Sequence, residues 1–542
     1  MNKIWKKVMA IAMCAVCALP AVGCKRPVDN SDQTVEVFAY NAGYGLDWLR
    51  AAAEIFEERT GYNMEIKEQG SMALESKIRS GPNNNTADLF IVGEYWNRYI
   101  SLGSKAVSGY DYILEPLDDV YAYTPEGEDR TIGEKMWGTV KNSYTMEVEE
   151  GGEYVSHQYV MPWAAGMGAI FYNQDLYEQA GLTHEPRTTD ELMEYCATLK
   201  SNGITPFIYS AADDYFSYIF NIWWAQYETI KGVDNFFNGK ISDNAIPDAT
   251  TSMGIFDQEG IRETLKVFED MLHKSKGYVD PLSESYEYTT AQAKFLNGDA
   301  AMLPAGDWLE NEMKNSSSSL SIGSILPMRT PIISALSDKL SYWDKAVNFT
   351  EASKTMSATE RNGYDEKLAQ LVDYVDGVVA QKPDWATDKD VSIVTAARRV
   401  NNNVAQSHSM VIPVYATAKT AAKEFMKFMA SDEGIELFME NTSGSVLPYY
   451  YDIENYEKYD ELSDFAKKKW EIMLNSDYVE QWQTYPTHYL GSLSPRYGIT
   501  LLGVTFGSQD SSVLKTADQI VRENKDYFRN RLETILKNAG LI

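Results

Sequence analysis

The sequence predicts an α/β protein built from two units in which strands and helices alternate. In the first unit, three strand-like segments at 35–40, 63–67 and 87–92 are separated by helical segments. The segment at 87–92 is apolar enough to be buried on both faces, as strands inside parallel sheets are. A second unit with the same alternation begins near Tyr159. Strand–helix–strand order of this kind predicts a parallel sheet covered by helices.

The first unit follows from local periodicity. Its predicted elements are, in order, a strand at 35–40, a helix at 46–59, a strand at 63–67, a short helix at 71–80 and a strand at 87–92. The helix is indicated by Leu49, Ala52 and Phe56, whose spacing puts them on one face. A dinucleotide-binding GxGxxG loop after the first strand is excluded, because its third glycine would fall at Trp48.

The second unit is predicted in the same way. Its elements are a strand at 169–172, a helix from 173 that ends at Gly181, a helix at 190–201, a strand at 203–208, a helix at 259–274, and a strand at 298–303 that follows residues 291–297. The long stretch between 208 and 259 carries many aromatic residues, which include Trp223 and Trp224.

Composition narrows the function classes. A chain of 542 residues is long enough for two or more domains, and its net charge of −29 argues against binding nucleic acid or anionic lipid. Aromatic residues make up 12%, including 36 Tyr and 12 Trp. Of the cysteines, only Cys196 lies outside the N-terminal segment, and its helical context indicates a buried structural thiol. No zinc-binding motif is present, and we predict neither a metal nor a cofactor.

The N-terminus has the pattern of an export signal. Lys3, Lys6 and Lys7 precede an apolar run at 8–19, and small residues follow up to Gly23. The apolar run is too short to span a bilayer, which takes about 20 residues. We therefore predict that the rest of the chain works outside the cytoplasm.

Cys24, directly after Gly23, resembles the lipobox of bacterial lipoproteins, although Ala21 stands where Leu is commoner. The resemblance implies that residues 1–23 are a signal peptide, that Cys24 is lipidated, and that 24–34 form a flexible tether. The alternative is an ordinary signal peptide that is cut nearby to release a soluble secreted protein.

Eight short segments form a recognisable series along the chain: 171–176 (FYNQDL), 180–182 (AGL), 188–192 (TTDEL), 295–302 (FLNGDAAM), 306–308 (GDW), 421–429 (AAKEFMKFM), 431–434 (SDEG) and 444–448 (GSVLP). Taken together in this order, they resemble the carbohydrate-type (maltose-binding-protein-like) extracellular solute-binding proteins that serve ABC importers. Each segment alone is a weak signal, but their order and spacing are difficult to obtain by chance.

The resemblance implies a two-lobed fold of the type II periplasmic-binding-protein class, in which each lobe is a sheet flanked by helices and a hinge joins the lobes. We expect lobe 1 to contain residues 35–158 and 305–445, with an insertion at about 330–405 that the family lacks. Lobe 2 is expected to contain 159–304 and 446–542, including a helical C-terminal part that is longer than usual.

A ligand in such a fold lies between the lobes, against loops that follow strands. Sugars present flat CH-rich faces and hydroxyl rims, so they need aromatic planes with carboxylates and amides beside them. The predicted ligand-binding residues are Asn41, Tyr44, Glu94, Tyr95, Trp163, Asp214, Tyr215, Trp223, Trp224, Asp307 and Trp308. The resemblance places Trp308 where the family stacks a tryptophan on sugar.

Most of these residues have an ordinary structural alternative. Trp223 and Trp224 point in different directions on a helix, so at least one of them is expected in the core. Trp163 is equally suited to bracing the hinge, and Tyr44 to shaping its turn after Gly43. In the same way, the alternative role of Glu94 is that of a solvent-exposed charge in a loop, and that of Asp214 is to cap the next helix.

The expected function is capture of a sugar or oligosaccharide between the lobes and its delivery to the permease subunits of an ABC importer. The protein would be extracytoplasmic, monomeric, held to the membrane only by its N-terminal lipid, and without enzymatic activity. One alternative is a secreted glycoside hydrolase, with Glu94, Asp213 and Asp214 as candidate carboxylates. Another is a surface interaction protein that has kept the fold but not the transport role.

Overall fold

The computed structural model describes residues 33–41, 43–70, 76–93, 113–211, 215–316, 322–344, 355–485 and 501–542, together with Phe349, Ala352, Thr487, His488 and Leu490. Within those residues, none of the helices combines the length and apolar character that crossing a bilayer requires.

Strands and helices alternate through most of the described chain. The strands are β1 (Thr34–Tyr40), β2 (Asn63–Gln69), β3 (Leu89–Gly93), β4 (Thr145–Glu150), β5 (Glu153–Gln158), β6 (Met161–Pro162), β7 (Gly168–Asn173), β8 (Met302–Gly306), β9 (Ile325–Pro327), β10 (Val400–Asn402), β11 (His408–Val411) and β12 (Asp477–Val479). The helices are α1 (Asp47–Thr60), α2 (Asp118–Tyr121), α3 (Ile132–Lys135), α4 (Gly138–Tyr144), α5 (Gln174–Gln179), α6 (Thr189–Ser201), α7 (Phe216–Glu228), α8 (Ile230–Phe237), α9 (Glu259–Leu272), α10 (Tyr288–Leu296), α11 (Leu309–Ser316), α12 (Ala358–Val375), α13 (Asp388–Arg399), α14 (Lys419–Met429), α15 (Asp432–Asn441), α16 (Asp464–Leu474), α17 (Leu502–Gly507), α18 (Ala517–Phe528) and α19 (Leu532–Asn538).

In the described part of the chain, five strands form the first sheet, in the order β2–β1–β3–β11–β6. β1 runs parallel to both β2 and β3, as the sequence predicts, with Val37 level with Ile66 on one side and Leu89 on the other. β11 is antiparallel to β3 and to β6, so a segment from late in the chain extends the sheet. α1 buries Trp48, Leu49 and the rest of its apolar face, and Gly61, with a φ of 76°, ends it.

The second sheet has the order β8–β7–β9 among the described residues, and both of its pairings are antiparallel. The parallel sheet expected for this unit is therefore wrong. The predicted strand at 203–208 is also absent as a strand: Phe207 alone makes isolated parallel bridges, to Val279 and Met302. Pro206 has no N–H to donate to a ladder, which limits regular pairing there.

The chain divides between the two sheets differently from the expectation for 305–445. β8 and β9 flank β7 in the second sheet. Leu368 of α12 and Val394 of α13, both in the inserted segment, are buried in the same apolar core as α7 and α9. The chain returns to the first sheet only at β11. The pairing of β7 with β8 and β9 places residues 302–306 and 325–327 in the second lobe, and apolar packing of α12 and α13 places the insertion there.

Within the described chain, three segments run side by side where the two lobes meet. Residues 163–167 lead from β6 to β7, residues 403–407 lead from β10 to β11, and residues 445–448 follow α15. Ala165 bridges to Val446, and Met167 bridges to Asn403. Backbone pairing between these segments makes this the narrow joint about which two lobes can rotate.

Candidate functional site

Aromatic side chains from both lobes meet beside the joint. They come from the end of β1, the loop after it, the end of β8 and the first turn of α7. Trp308, Tyr215, Tyr218 and Tyr40 are all half-buried, so each keeps part of its ring accessible. A row of partly exposed rings between two lobes is suited to a ligand that has flat apolar faces.

Trp308 lies at the centre of this group. It follows β8 directly, and a Cβ added to Gly306 would lie 2.3 Å from Cζ2 of its indole, so the ring lies against the bare strand backbone. Gly43 of the first lobe also lies close to the ring, because a Cβ added there would be 2.8 Å from Cδ1 of the same indole. Tyr44 and Tyr215 meet the indole edge-on, with ring centroids at 6.1 and 6.2 Å.

Tyr215 and Tyr218 form a second aromatic surface. Their rings are stacked, with centroids 5.4 Å apart and an interplanar angle of 15°. Tyr218 lies over Gly168, where an added Cβ would be 2.4 Å from the Cβ of Tyr218. Because Gly168 is paired with Gly306 across the second sheet, Tyr218 and Trp308 lie over neighbouring strands.

The first lobe contributes Tyr40 and Asn41 at the end of β1. The ring of Tyr40 lies over Gly93 of β3, where an added Cβ would be 2.7 Å from Cε1. Asn41 is exposed and donates from Nδ2 to Oε1 of Glu68 at 3.0 Å. The predicted ligand residues Glu94, Tyr95 and Asp214 lie outside the described residues, as does Cys24.

A polar pair lies on the second-lobe side of Trp308. Gln292 donates from Nε2 to Oε2 of Glu312 at 2.7 Å, and Oε1 of Glu312 lies near the space beside Gly43. A carboxylate next to an indole edge can accept a hydrogen bond from a ligand hydroxyl.

Tyr44 and Asp307 are buried beneath the rings. They are 2% and 1% exposed, and the Tyr44 hydroxyl donates to Oδ1 of Asp307 at 3.2 Å. Burial, and then the neighbouring Asp307 carboxyl, raise the pKa of Tyr44 well above its usual value. The predicted ligand contact is not available to either side chain in this conformation, because each is covered on all sides. Both residues support the aromatic surface from below.

Trp163 lies in the core beside the joint. It is 1% exposed, its ring stacks on Trp48 with centroids 5.3 Å apart, and its Nε1 donates to the Val92 carbonyl oxygen at 2.9 Å. Its ring therefore has almost no surface to offer a ligand in this conformation, and these contacts agree with its alternative as a brace of the hinge.

Trp223 and Trp224 are fully buried in the second lobe. Their indole N–H groups donate to the Pro331 carbonyl oxygen and to Oε1 of Gln258. In this conformation neither ring has a surface to offer a ligand. Almost every residue of α7 is buried, and a helix that is apolar all round belongs in a core.

Sequence reasoning did not identify Tyr40, Tyr218, Gln292 or Glu312 as candidate site residues. For Tyr218, the available signal is its position three residues after Tyr215, which places both rings on one side of the first turn of α7. For Tyr40, it is the position at the end of a parallel strand. Among the described residues, no group of three or more His, Cys, Asp or Glu side chains is arranged to hold a metal ion.

A cavity of about 930 Å³ lies elsewhere, between α13, α16 and the rim of the second sheet. Its arginines are already used in the structure: Arg187 binds Glu191 and Asp373, and Arg398 binds Asp376. The pair between Arg187 and Asp373 ties the inserted α12 to the rest of the second lobe. The cavity is a salt-bridged groove and lacks the partly exposed rings that distinguish the site beside the joint.

Comparison with known proteins finds distant relatives that are named as binding proteins. The chain is 24% identical to the diacetylchitobiose binding protein NgcE of Streptomyces coelicolor over 298 residues, which cover 53% of this chain and 55% of NgcE. It is 22% identical to the maltotriose-binding protein of Pyrococcus abyssi over 289 residues, which cover 52% and 50% of the two chains. The chain thus spans about half the length of the relatives it matches.

Solved structures match almost the whole chain. A chitin oligosaccharide binding protein superposes with a TM-score of 0.54 and 15% identity, covering 92% of this chain and 99% of that one. The binding protein RafE in complex with raffinose gives a TM-score of 0.53 and 14% identity, with coverage of 92% and 99%. At this identity the likeness establishes the fold, which is the two-lobed type II periplasmic-binding-protein fold.

The family model of the bacterial extracellular solute-binding proteins matches residues 42–436, which is most of the chain. The matched range contains the second sheet, every described strand of the first sheet except β1, two of the three segments at the joint, and Trp308, Tyr215 and Tyr218. This protein therefore belongs to the bacterial extracellular solute-binding protein family.

Proposed function

We propose that this protein captures a carbohydrate, a sugar or a short oligosaccharide, between its lobes and delivers it to the permease subunits of an ABC importer. The observation that carries the proposal is the set of half-buried rings, Trp308, Tyr215 and Tyr218, beside the joint. Sugars bind such rings through their CH-rich faces, while Asn41 and Glu312 offer hydrogen bonds to hydroxyl groups.

The relatives support the same ligand class, because one is named for diacetylchitobiose and another for maltotriose. Capture requires no chemical step. A ligand that contacts both lobes favours the closed arrangement by its extra affinity for that state. We therefore propose a binding protein without catalytic activity, and expect no new reducing ends when the protein is incubated with oligosaccharides.

The binding experiment uses isothermal titration with a panel that includes chitobiose, chitotriose, maltotriose and raffinose. At least one saccharide should bind, and small-angle scattering should show a smaller radius of gyration with it. W308A should weaken binding at least about tenfold, which corresponds to 1.4 kcal/mol. W385A is the matched control, because Trp385 is a half-buried tryptophan that packs on Tyr342 in the inserted segment. Equal losses in both variants, or no binding across the panel, would contradict the proposal.

The proposed location is outside the cytoplasm, with the protein held to the membrane by lipid on Cys24 and monomeric in solution. Mass spectrometry of the mature N-terminus should find Cys24 with attached acyl groups, and C24S should release the protein into the soluble fraction. A mature N-terminus at another residue would favour a secreted protein. Light scattering of purified protein without lipid should give the mass of one chain.

A further inference from the structure

A buried ion pair joins the C-terminal part of the chain to the candidate site. Nζ of Lys469, on α16, lies 3.5 Å from Oδ2 of Asp307, and the two side chains are 1% and 0% exposed. Lys469 lies beyond the range that the family model matches, which ends at residue 436. A cation from outside that range therefore enters the centre of the molecule, directly beneath the aromatic rings.

Asp307 connects this cation to the site. Its Oδ1 accepts from the Tyr44 hydroxyl at 3.2 Å, and its backbone N–H donates to the Met167 carbonyl oxygen at 3.0 Å. Asp307 immediately precedes Trp308 in the chain. A backbone movement that reorients the Asp307 side chain therefore also moves the indole of Trp308. Tyr44 in turn meets the edge of Trp308. Asp307 thus holds one ring from each lobe.

The ion pair decides whether Asp307 keeps its charge. Burial raises the pKa of Asp307, whereas the Lys469 charge and the Tyr44 hydrogen bond oppose that rise. Tyr478 of β12 is another titratable group near Asp307, and Tyr218, Glu312 and His408 lie around Tyr44. None of these supplies a positive charge at neutral pH, because burial lowers the pKa of His408 to about 4. A buried carboxylate without a counter-charge takes up a proton instead.

α16 is fixed from several sides, so Lys469 is presented rigidly. Nε1 of Trp470 donates to the Gly444 carbonyl oxygen at 3.0 Å, which attaches α16 to the turn just before residues 445–448. Phe465 stacks on Phe171 of the second sheet with centroids 5.3 Å apart. After α16, Tyr478 stacks on Trp137 of the first lobe at 4.9 Å. Residues 463–479 therefore contact both lobes and the joint between them.

We propose that Lys469 is a positioning residue of the binding cleft: it holds Asp307 as a carboxylate, and Asp307 sets the orientation of Tyr44 and Trp308 without contact between Lys469 and the ligand. This inference rests on the proposed function for its consequence in binding. The C-terminal part of the chain then completes the site, in addition to packing on its outside.

The test replaces Lys469 with an apolar side chain of similar length, K469M, in the full mature chain. K467M is the matched control, because Lys467 lies on the same helix and its Nζ is exposed, where it donates to the Asp460 carbonyl oxygen. The protein is labelled with 5-fluorotryptophan, and the Trp308 resonance is identified by its absence in W308F. The position of this resonance is then followed by ¹⁹F NMR from pH 4 to pH 9, without ligand.

In K469M the titration midpoint seen by Trp308 should move upward by at least about one pH unit. K467M and K469R should keep the wild-type midpoint, because the first retains the ion pair and the second retains its charge. An unchanged midpoint in K469M, or an equal shift in K467M, would overturn the proposal. If K469M does not fold, D307N/K469M takes its place, since removing both charges of a buried pair is tolerated better than removing one. The titration should vanish in that double variant, and its persistence would also overturn the proposal.

Binding gives the second readout. With maltotriose and chitobiose as probes, K469M should raise the Kd at least about tenfold at pH 8 relative to K467M, because Asp307 and the rings it holds are displaced. If neither saccharide binds the wild-type protein, that result counts against the proposed function. The titration without ligand still decides whether Lys469 positions Asp307.

Discussion

Adding one methyl group at Gly306 should displace Trp308 and nothing else nearby. In G306A the new Cβ would lie 2.3 Å from Cζ2 and 2.4 Å from Cη2 of the indole, whereas ordinary contact begins at 3.4 Å. The shortfall of about 1 Å cannot be absorbed by the strand, because Gly306 is paired with Gly168 in the second sheet. The ring must therefore tilt away from the backbone.

The energetic cost follows from the geometry. Forcing an extra methyl group against a packed ring costs about 1–3 kcal/mol of folding free energy. This cost belongs to the contact with Trp308, so it should fall close to zero when the indole is absent. A double-mutant cycle of G306A and W308A should then give a coupling energy of about 1–3 kcal/mol.

Urea unfolding measures the four free energies, and ¹⁹F NMR of 5-fluorotryptophan-labelled protein reports the ring position directly. The Trp308 resonance should move in G306A and stay in place in G363A, where an added Cβ meets nothing within 4 Å. A G306A cost that is the same with and without the indole would refute the reasoning, because the methyl group would then be acting on the backbone alone.

Three further predictions concern the rest of the fold. Burial raises the pKa of Glu480 to about 8, against an ordinary value of 4.5 in the unfolded chain. The free energy of unfolding should therefore fall by about 3 kcal/mol or more as the pH rises from 5 to 9, because the unfolded chain releases this proton more readily. Urea titrations of E480Q should show no such fall. G363A, inside the solvent-facing part of α12, should stabilise the protein by about 0.5–1 kcal/mol in the same assay, since alanine favours helix and has space there. Because burial raises the pKa of the Cys196 thiol, it should react with a thiol reagent only after unfolding, and reaction at native conditions would contradict its burial.

The strands and helix of the first lobe could be predicted because the sequence patterns that specify them are local. β1, β2 and β3 each have strand periodicity, short connections force them to be parallel, and the apolar stripe of α1 identifies the face it buries. The second lobe could not be predicted to the same extent. A long stretch of chain separates β7 from β8, so the short-connection rule does not determine their direction, and the antiparallel pairing depends on contacts distant in sequence.

The candidate site shows the same limit. Trp308 and Tyr215 could be placed beside the joint because both follow segments that end at the edge of the second sheet. Trp163, Trp223 and Trp224 have the same residue type near the same loops, yet they are buried. A tryptophan's sequence position does not tell which way the ring points, whereas the apolar character of α7 on all sides does indicate burial. Lys469 is beyond sequence reasoning, since its partner Asp307 lies far along the chain.

Glycine explains how rings of this size can form a flat surface beside a sheet. Trp308 lies over Gly306, Tyr218 over Gly168, and Tyr40 over Gly93, and in each case a methyl group would collide with the ring. A ring that lies directly on strand backbone has few alternative rotamers, so little conformational freedom is left for a ligand to remove on binding. Two of these glycines are paired with each other across the second sheet, which fixes the spacing between their rings. The distance between aromatic surfaces is thus set by strand pairing rather than by loops, and this gives the site a fixed geometry to match against its ligand.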